Sequence, residues 1–408
     1  MKMLITGLFL LVSAQASFAG FLLSLEDAER LVLENNIELK AKRAELRKSE
    51  AEVIGARLLP NPEARYFLAA VGSGPGGRES TASVVQPIDI TGKRAKRIET
   101  AEKRRDAQRF FFDYESFLTI VRVKQLYYRI LLLKENEKAI LDILDTAEEV
   151  EKRTASRVEV GDVSEAELMK LGTEKKKFQR MLEGLGTDLE VERKKLALIL
   201  NLSDTGFDLS QKFQYEPVML PSGQANEKIY EKRHDIKAQN ATVEAASSSL
   251  ALAKREIMSN VGVEAGYRKW VDGQDGFVFG LVLPLPLFDR NQGRIASAQA
   301  EIDKQRFNYE LLKKQATYEI RVLEDRVRYY QGRIEGLAGQ IKTTRELTSI
   351  SRISYEEGEA SLIELLEAVR AERDLIMEYN SSVYEYWSSV FELERATHTR
   401  LTNPGEKS

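Results

Sequence analysis

Few residues in this 408-residue chain have a type and spacing that does chemistry. It contains no cysteine, which excludes thiolate nucleophiles, disulfides, thiolate metal sites and acylation of a mature N-terminal cysteine. The two histidines, His234 and His398, form no His-x-x-x-His pair. His234 stands in Arg233-His234-Asp235-Ile236, 164 residues from His398, and no metal ligand is expected of either histidine. The run Gly72-Ser73-Gly74-Pro75-Gly76-Gly77 matches Gly-x-Gly-x-x-Gly. A dinucleotide site needs that motif between a strand and a helix, whereas here it joins two strand-like segments and reads as a flexible hairpin tip. There is no phosphate loop and no supported Ser/His/Asp constellation, so neither an enzyme nor a cofactor is expected. Acidic pairs such as Glu148-Glu149 read as solvated helix surface. Glu364 and Glu367 are three apart and therefore share one helical face.

The frame that positions such groups is long and mixed in charge. Hydrophobic residues make up 43% and charged residues 31%, which suits a large folded chain and not a disordered one. With 61 basic and 64 acidic residues the net charge is -3, so nothing drives the chain towards nucleic acid. Lys2, the apolar run Leu4 to Val12 and the small-residue stretch Ser13 to Ala19 form an export signal, residues 1–19, with cleavage expected after Ala19. Beyond it no segment approaches the roughly 20 apolar residues of a spanning helix.

Two stretches alternate with the period of a strand. In Val261 to Lys269 the positions Val261, Val263, Ala265 and Tyr267 are apolar, while Gly262, Glu264, Gly266 and Arg268 are small or charged. Phe277, Phe279, Leu281, Leu283 and Leu285 continue the pattern after a turn at Asp272-Gly273, giving a hairpin over 261–286. A weaker counterpart covers 63–90. Each hairpin precedes a long helical tract, 93–160 and 293–357, that ends at a glycine and would be about 100 Å long. Ile320, Leu323, Val327, Tyr330, Ile334, Leu337 and Ile341 form a heptad seam in the second tract, and Leu126, Ile130, Leu133, Ile140, Leu144 and Ala147 one in the first. Both tracts end in Gly-x-x-Ser-x-x-Glu-Leu: Gly161-Asp162-Val163-Ser164-Glu165-Ala166-Glu167-Leu168 and Gly358-Glu359-Ala360-Ser361-Leu362-Ile363-Glu364-Leu365. The glycine stops a helix in the left-handed region and the serine caps the next, with glutamate at N3 completing a capping box. Return helices are expected over 164–200 and 361–401. The chain thus reads as mainly α with a small β part, built as a two-fold internal repeat: 20–202, a connector at 203–225, 226–402, and a tail at 403–408. Four strands cannot close a barrel alone, because bacterial barrels have at least about eight, so an oligomer sharing one barrel is the simplest solution.

This plan, together with Gln86-Pro87-Ile88-Asp89-Ile90-Thr91-Gly92-Lys93-Arg94, Leu283-Pro284-Leu285-Pro286-Leu287-Phe288-Asp289-Arg290-Asn291-Gln292-Gly293 and Tyr355 to Ala368, resembles the TolC-like outer-membrane efflux family over nearly the whole mature chain. The Thr91 to Arg94 and Phe288 to Gly293 segments look most like its CzcC-type branch for heavy-metal cations. The resemblance implies a homotrimer with a shared β-barrel in outer-membrane lipid, an α-helical tunnel crossing the periplasm, and docking to a periplasmic adaptor (membrane fusion protein) and an inner-membrane RND-type pump. It implies adaptor contacts at Gly161, Asp162, Val163 and Ser164 and at Gly358, Glu359, Ala360 and Ser361. It also places Glu364 and Glu367 at a periplasmic gate, with Tyr355 and Glu167 at neighbouring positions. Glutamate stands where the family usually has aspartate, and Ala360 where some members carry a locking arginine. Two other functions fit the same pattern: a TolC-like channel for type I secretion or organic-compound efflux, and a periplasmic coiled-coil scaffold without a pore.

Overall fold

The computed structural model describes residues 21–70, 78–220 and 229–401. The expected signal, the Gly72 to Gly77 loop and the tail at 403–408 lie outside them. In chain order the elements are β1 (Leu22–Leu23), α1 (Leu25–Asn35), α2 (Ile37–Arg57), β2 (Glu63–Ala70), β3 (Arg78–Ile88), α3 (Lys93–Glu159), α4 (Glu165–Leu200) and β4 (Asp208–Leu209). A 3-10 turn (Ile229–Lys232), α5 (His234–Arg255), β5 (Val261–Lys269), β6 (Asp275–Val282), α6 (Gln292–Glu357) and α7 (Leu362–Thr397) follow. The long helices α3 and α6 have 67 and 66 residues, each about 100 Å at 1.5 Å per residue. Most boundaries fall within two residues of the expected ones, and two fall further inside. The strand stops at Val282 because Pro284 and Pro286 cannot donate to a ladder. The last helix stops at Thr397, where His398 turns left-handed at φ 52°.

Four strands form one antiparallel sheet in the order β2-β3-β5-β6, so β2 and β6 are its edges. The register pairs Ser83 with Gly266, Val85 with Glu264 and Glu264 with Gly280, which puts these residues on one face. That face is mainly small and polar, with Phe67, Val85, Val278 and Val282 as its apolar members. Ser83 Oγ donates to Glu264 Oε1 at 2.5 Å, and Arg268 pairs with Glu79. Gly266 is needed there because a Cβ would lie 2.6 Å from Ala82 O. The other face carries Tyr66, Val84, Val263, Tyr267, Phe277, Phe279 and Leu281, all exposed, with Phe277 at 78% and Phe279 at 80%. Among the described residues no helix is long and apolar enough to cross a membrane.

The expected connector at 203–225 proves to be docked, as far as Leu220, onto the helices. β4 pairs in parallel with β1, Leu22 with Asp208 and Leu23 with Leu209. Tyr127 of α3 donates its hydroxyl to Leu23 O at 2.8 Å and accepts from Gln211 N at 3.3 Å. On α7, Tyr386 donates to Glu216 O and accepts from Val218 N, while Trp387 Nε1 donates to Gln214 O. These aromatics anchor two hydrophobic clusters, one around Leu23, Tyr127, Leu196 and Phe207, the other around Val327, Ile334, Tyr386 and Val390. Buried polar tips with partners on both sides avoid the desolvation penalty that a bare hydroxyl would incur.

Candidate gate and docking site at the helical turns

At the far end of the long helices the chain reverses twice. Gly161 and Gly358 sit in the left-handed region at φ 77° and 82°, where a Cβ is strained. Amides beyond each glycine return to the last helical carbonyls: Asp162 N to Arg157 O at 2.9 Å, and Glu359 N to Ser354 O at 2.8 Å. The two reversals then differ. Ser361 Oγ accepts from Glu364 N at 3.3 Å, the expected cap. Ser164 makes no side-chain cap, which corrects the reading of a capping box there; its carbonyl takes the Glu167 amide at 3.0 Å in a tighter i to i+3 turn.

A residue that sequence reasoning missed fastens the two turns together. Arg157, in the last turn of α3, donates through Nε to Asp162 at 2.7 Å and through Nη1 to the Tyr355 carbonyl at 2.8 Å. Its guanidinium lies 5.7 Å from the Tyr355 ring centroid. Tyr355 itself is 3% exposed, packed with Val150, Leu171, Leu362 and Leu365, and its hydroxyl shares a 3.0 Å hydrogen bond with Thr154 Oγ1. Arg153 pairs with Glu356 beside it. A cation in the last turn of a helix was a visible signal for C-terminal capping, but its second partner belongs to the other half of the chain.

Of the remaining expected residues, Glu364 and Glu367 are exposed on α7 and Glu167 is half-buried on α4. Gly161, Asp162, Ser164, Gly358, Glu359 and Ser361 are exposed, with Val163 and Ala360 half-buried. The two turns therefore present one continuous exposed end, with Tyr355 behind it. A second tie lies deeper: Arg370 of α7 donates to both oxygens of the buried Glu174 of α4, at 2.9 and 2.6 Å. Those Arg370 hydrogen bonds, helped by Lys177, hold the Glu174 carboxyl down to about 2.

Among the described residues no group of three or more His, Cys, Asp or Glu side chains is placed to hold a metal ion. The two histidines do meet, with ring centroids 4.4 Å apart and His234 Nδ1 3.9 Å from Asp113 Oδ2. Burial lowers the pKa of both rings, and for His398 the neighbouring His234 adds to it. The exposed end of the molecule thus offers carboxylates and main-chain turns.

The sequence model of the family described as "Outer membrane efflux protein" matches residues 30–170 and 226–396. The cobalt-zinc-cadmium resistance protein CzcC of Cupriavidus metallidurans is 24% identical over 351 residues, covering 85% of this chain and 83% of the relative. The CusC crystal structure superposes with a TM-score of 0.79 at 16% identity, covering 95% of each chain. The Campylobacter jejuni CmeC outer membrane channel gives 0.79 at 18% identity, covering 94% of this chain and 87% of the other.

Proposed function

The chain belongs to the outer membrane efflux protein family, and from that premise we propose that it is the channel subunit of a tripartite pump, a passive conduit for heavy-metal cations. The sheet carries the reading. It has two free edges, β2 and β6, one apolar exposed face and one mainly small and polar face. In lipid each unpaired backbone group costs several kcal/mol, so such edges must close. Three copies joined edge to edge make one barrel above the minimum size, with the polar face inward.

A second seam on α6 supports the same assembly. Phe307, Leu311, Tyr318, Val322 and Tyr329, spaced alternately by four and seven, are exposed on the side away from the buried heptad seam. A neighbouring subunit covers such a stripe. In this reading the two halves are repeats of one plan, and the long helices form a periplasmic tunnel. Gly161 to Ser164 and Gly358 to Ser361 meet a periplasmic adaptor, and an RND-type inner-membrane pump supplies the energy. Glu364 and Glu367 from three subunits crowd one axis, with Glu167 beside them and Tyr355 supporting the turn from behind. Carboxylates held close together repel one another and attract cations. The cargo class rests on that ring and on the metals in the relative's name.

The test begins with fractionation: the mature protein should enter outer membranes and run as a heat-sensitive trimer. In planar bilayers it should favour cations and be blocked by multivalent cations from the periplasmic side. Glu364→Gln combined with Glu367→Gln should weaken both properties without changing trimer stability. Unchanged selectivity and block in that variant would remove these carboxylates from the constriction, and recovery of a soluble monomer would end the channel reading.

A further inference from the structure

Four helix ends converge directly beneath the sheet, the C-termini of α2 and α5 and the N-termini of α3 and α6. Arg94 donates to Arg57 O at 2.6 Å, Arg97 to Ala56 O and Leu58 O at 3.1 and 3.0 Å, and Lys93 to Met258 O at 3.0 Å. Arg255 donates to Thr91 O, and Asn291 Nδ2 to Ala253 O brings the start of α6 into the same collar. Lys254 and Arg290 are exposed on it.

Capping a carbonyl orients a cation but does not neutralise it. Three carboxylates offset part of this charge: Glu256 pairs with Arg294 at 2.9 Å, while Asp89 accepts from Thr91 N and Arg94 N at 3.0 and 2.7 Å, and Asp289 from Asn291 N at 2.8 Å. The dipoles add to the excess. Helices α1, α2, α4, α5 and α7 each carry an acidic residue in the first turn, whereas α3 and α6 carry none, and α3 opens with Lys93-Arg94. At α3 the Asp89 carboxylate offsets part of this through the Arg94 amide, and two cations, Lys93 and Arg94, stand against that single anion.

What lies next to the charge identifies the anion. On the sheet side of the collar Ile90, Leu287 and Phe288 are exposed, Phe288 at 91%, and they continue the apolar face of the sheet. An apolar band bordered by an aromatic residue and then by cations is the pattern of a membrane interface, where basic side chains reach lipid phosphates. We propose that this collar binds the anionic headgroups of phospholipids in the leaflet around the lower rim of the barrel. The proposal rests on the sheet being barrel wall. A nucleic acid or an acidic protein has no use for the flanking apolar band.

The experiment uses the full mature protein, purified as its trimer and placed in nanodiscs of phosphatidylcholine alone or mixed equally with phosphatidylglycerol. Lipid retained after release is counted by native mass spectrometry. Wild type should retain phosphatidylglycerol over phosphatidylcholine, with the preference shrinking as salt is raised. The combined Lys93→Gln, Lys254→Gln and Arg290→Gln variant should reduce that preference by about fivefold per charge removed. The matching variant with Lys93→Arg and Lys254→Arg should keep it, which separates charge from packing. A trimer that inserts yet retains both lipids equally, or a glutamine variant with unchanged preference, overturns the collar and leaves the channel reading standing. Displacement of the lipid by inorganic phosphate at equal concentration would show a free-anion site instead. Failure to insert into either lipid defeats both readings.

Discussion

The two reversals at the end of the long helices share one motif and are held in different ways. The second is capped by its own serine and clasped from behind by Arg157, which reaches the Tyr355 carbonyl across 198 positions of sequence. The first has no side-chain cap and leans on Arg157 only through Asp162. Nothing lies within 4 Å of a Cβ built on Gly161, whereas one on Gly358 meets Arg157 Nη2 at 3.3 Å. Equal motifs therefore do not mean equal rigidity. The second turn is set against the core, and the first is the one free to adjust.

The sharpest break of that comparison is a side chain at each glycine. Leucine in the left-handed region costs about 1–2 kcal/mol at either site, but at Gly358 it also displaces a guanidinium that is fixed on two sides. Gly358→Leu, with Ser361→Arg as a companion, should abolish efflux while the trimer still assembles, and Gly161→Leu should leave most transport intact. Equal losses in a metal-export assay would show that the two turns are equivalent.

Removing the clasp is expected to be milder. Arg157→Ala should loosen the second turn by about 1–2 kcal/mol, the order of a hydrogen bond to a charged group. Hydrogen exchange of the Gly358 to Ala360 amides should then quicken more than that of Gly161 and Asp162. If the first turn loosens more, the asymmetry lies elsewhere.

The return helices are tied at Glu174 and Arg370, and that tie is sensitive to acid. The carboxyl sits at about 2 in the folded chain against an ordinary 4.5. A depressed folded value means that the stabilisation is complete above about 4.5 and is lost as pH falls from there towards 2. Glu174→Gln should flatten the loss of thermal stability over that window and lower stability at neutral pH by roughly 1 kcal/mol, since Arg370 is partly exposed. An unchanged pH profile would mean the tie does not hold the return helices together.

The smallest effect separates the two caps. Ser361→Ala should cost about 1 kcal/mol of local stability and Ser164→Ala close to nothing, because only the first of these hydroxyls receives a helical amide. Matching melting shifts would contradict the difference.

What the sequence determined on its own is everything with a local cause. The period of two across Val261 to Lys269, the heptads of α3 and α6, the stop at each glycine and the prolines after β6 each act within a few residues, so the two hairpins and the long and return helices follow in order without a partner, though the β1–β4 pair does not. The glycine and serine of each turn were legible for the same reason, whereas Glu364, Glu367, Glu167 and Tyr355 were singled out by the family resemblance. Only the tertiary structure decided which helix faces meet. Arg157 with Tyr355, Glu174 with Arg370, His234 with His398 and the docking of 203–220 by Tyr127 and Tyr386 join positions far apart in the chain. Their meeting depends on the rotational phase of helices about 100 Å long, and a drift of about 20° per heptad between 3.6 and 3.5 residues per turn moves a given side chain from core to solvent over about five heptads. The serine at 164 has the right neighbours for a cap, yet the backbone of that turn gives its amide to a carbonyl first, a choice set by how the turn packs and not by its residues.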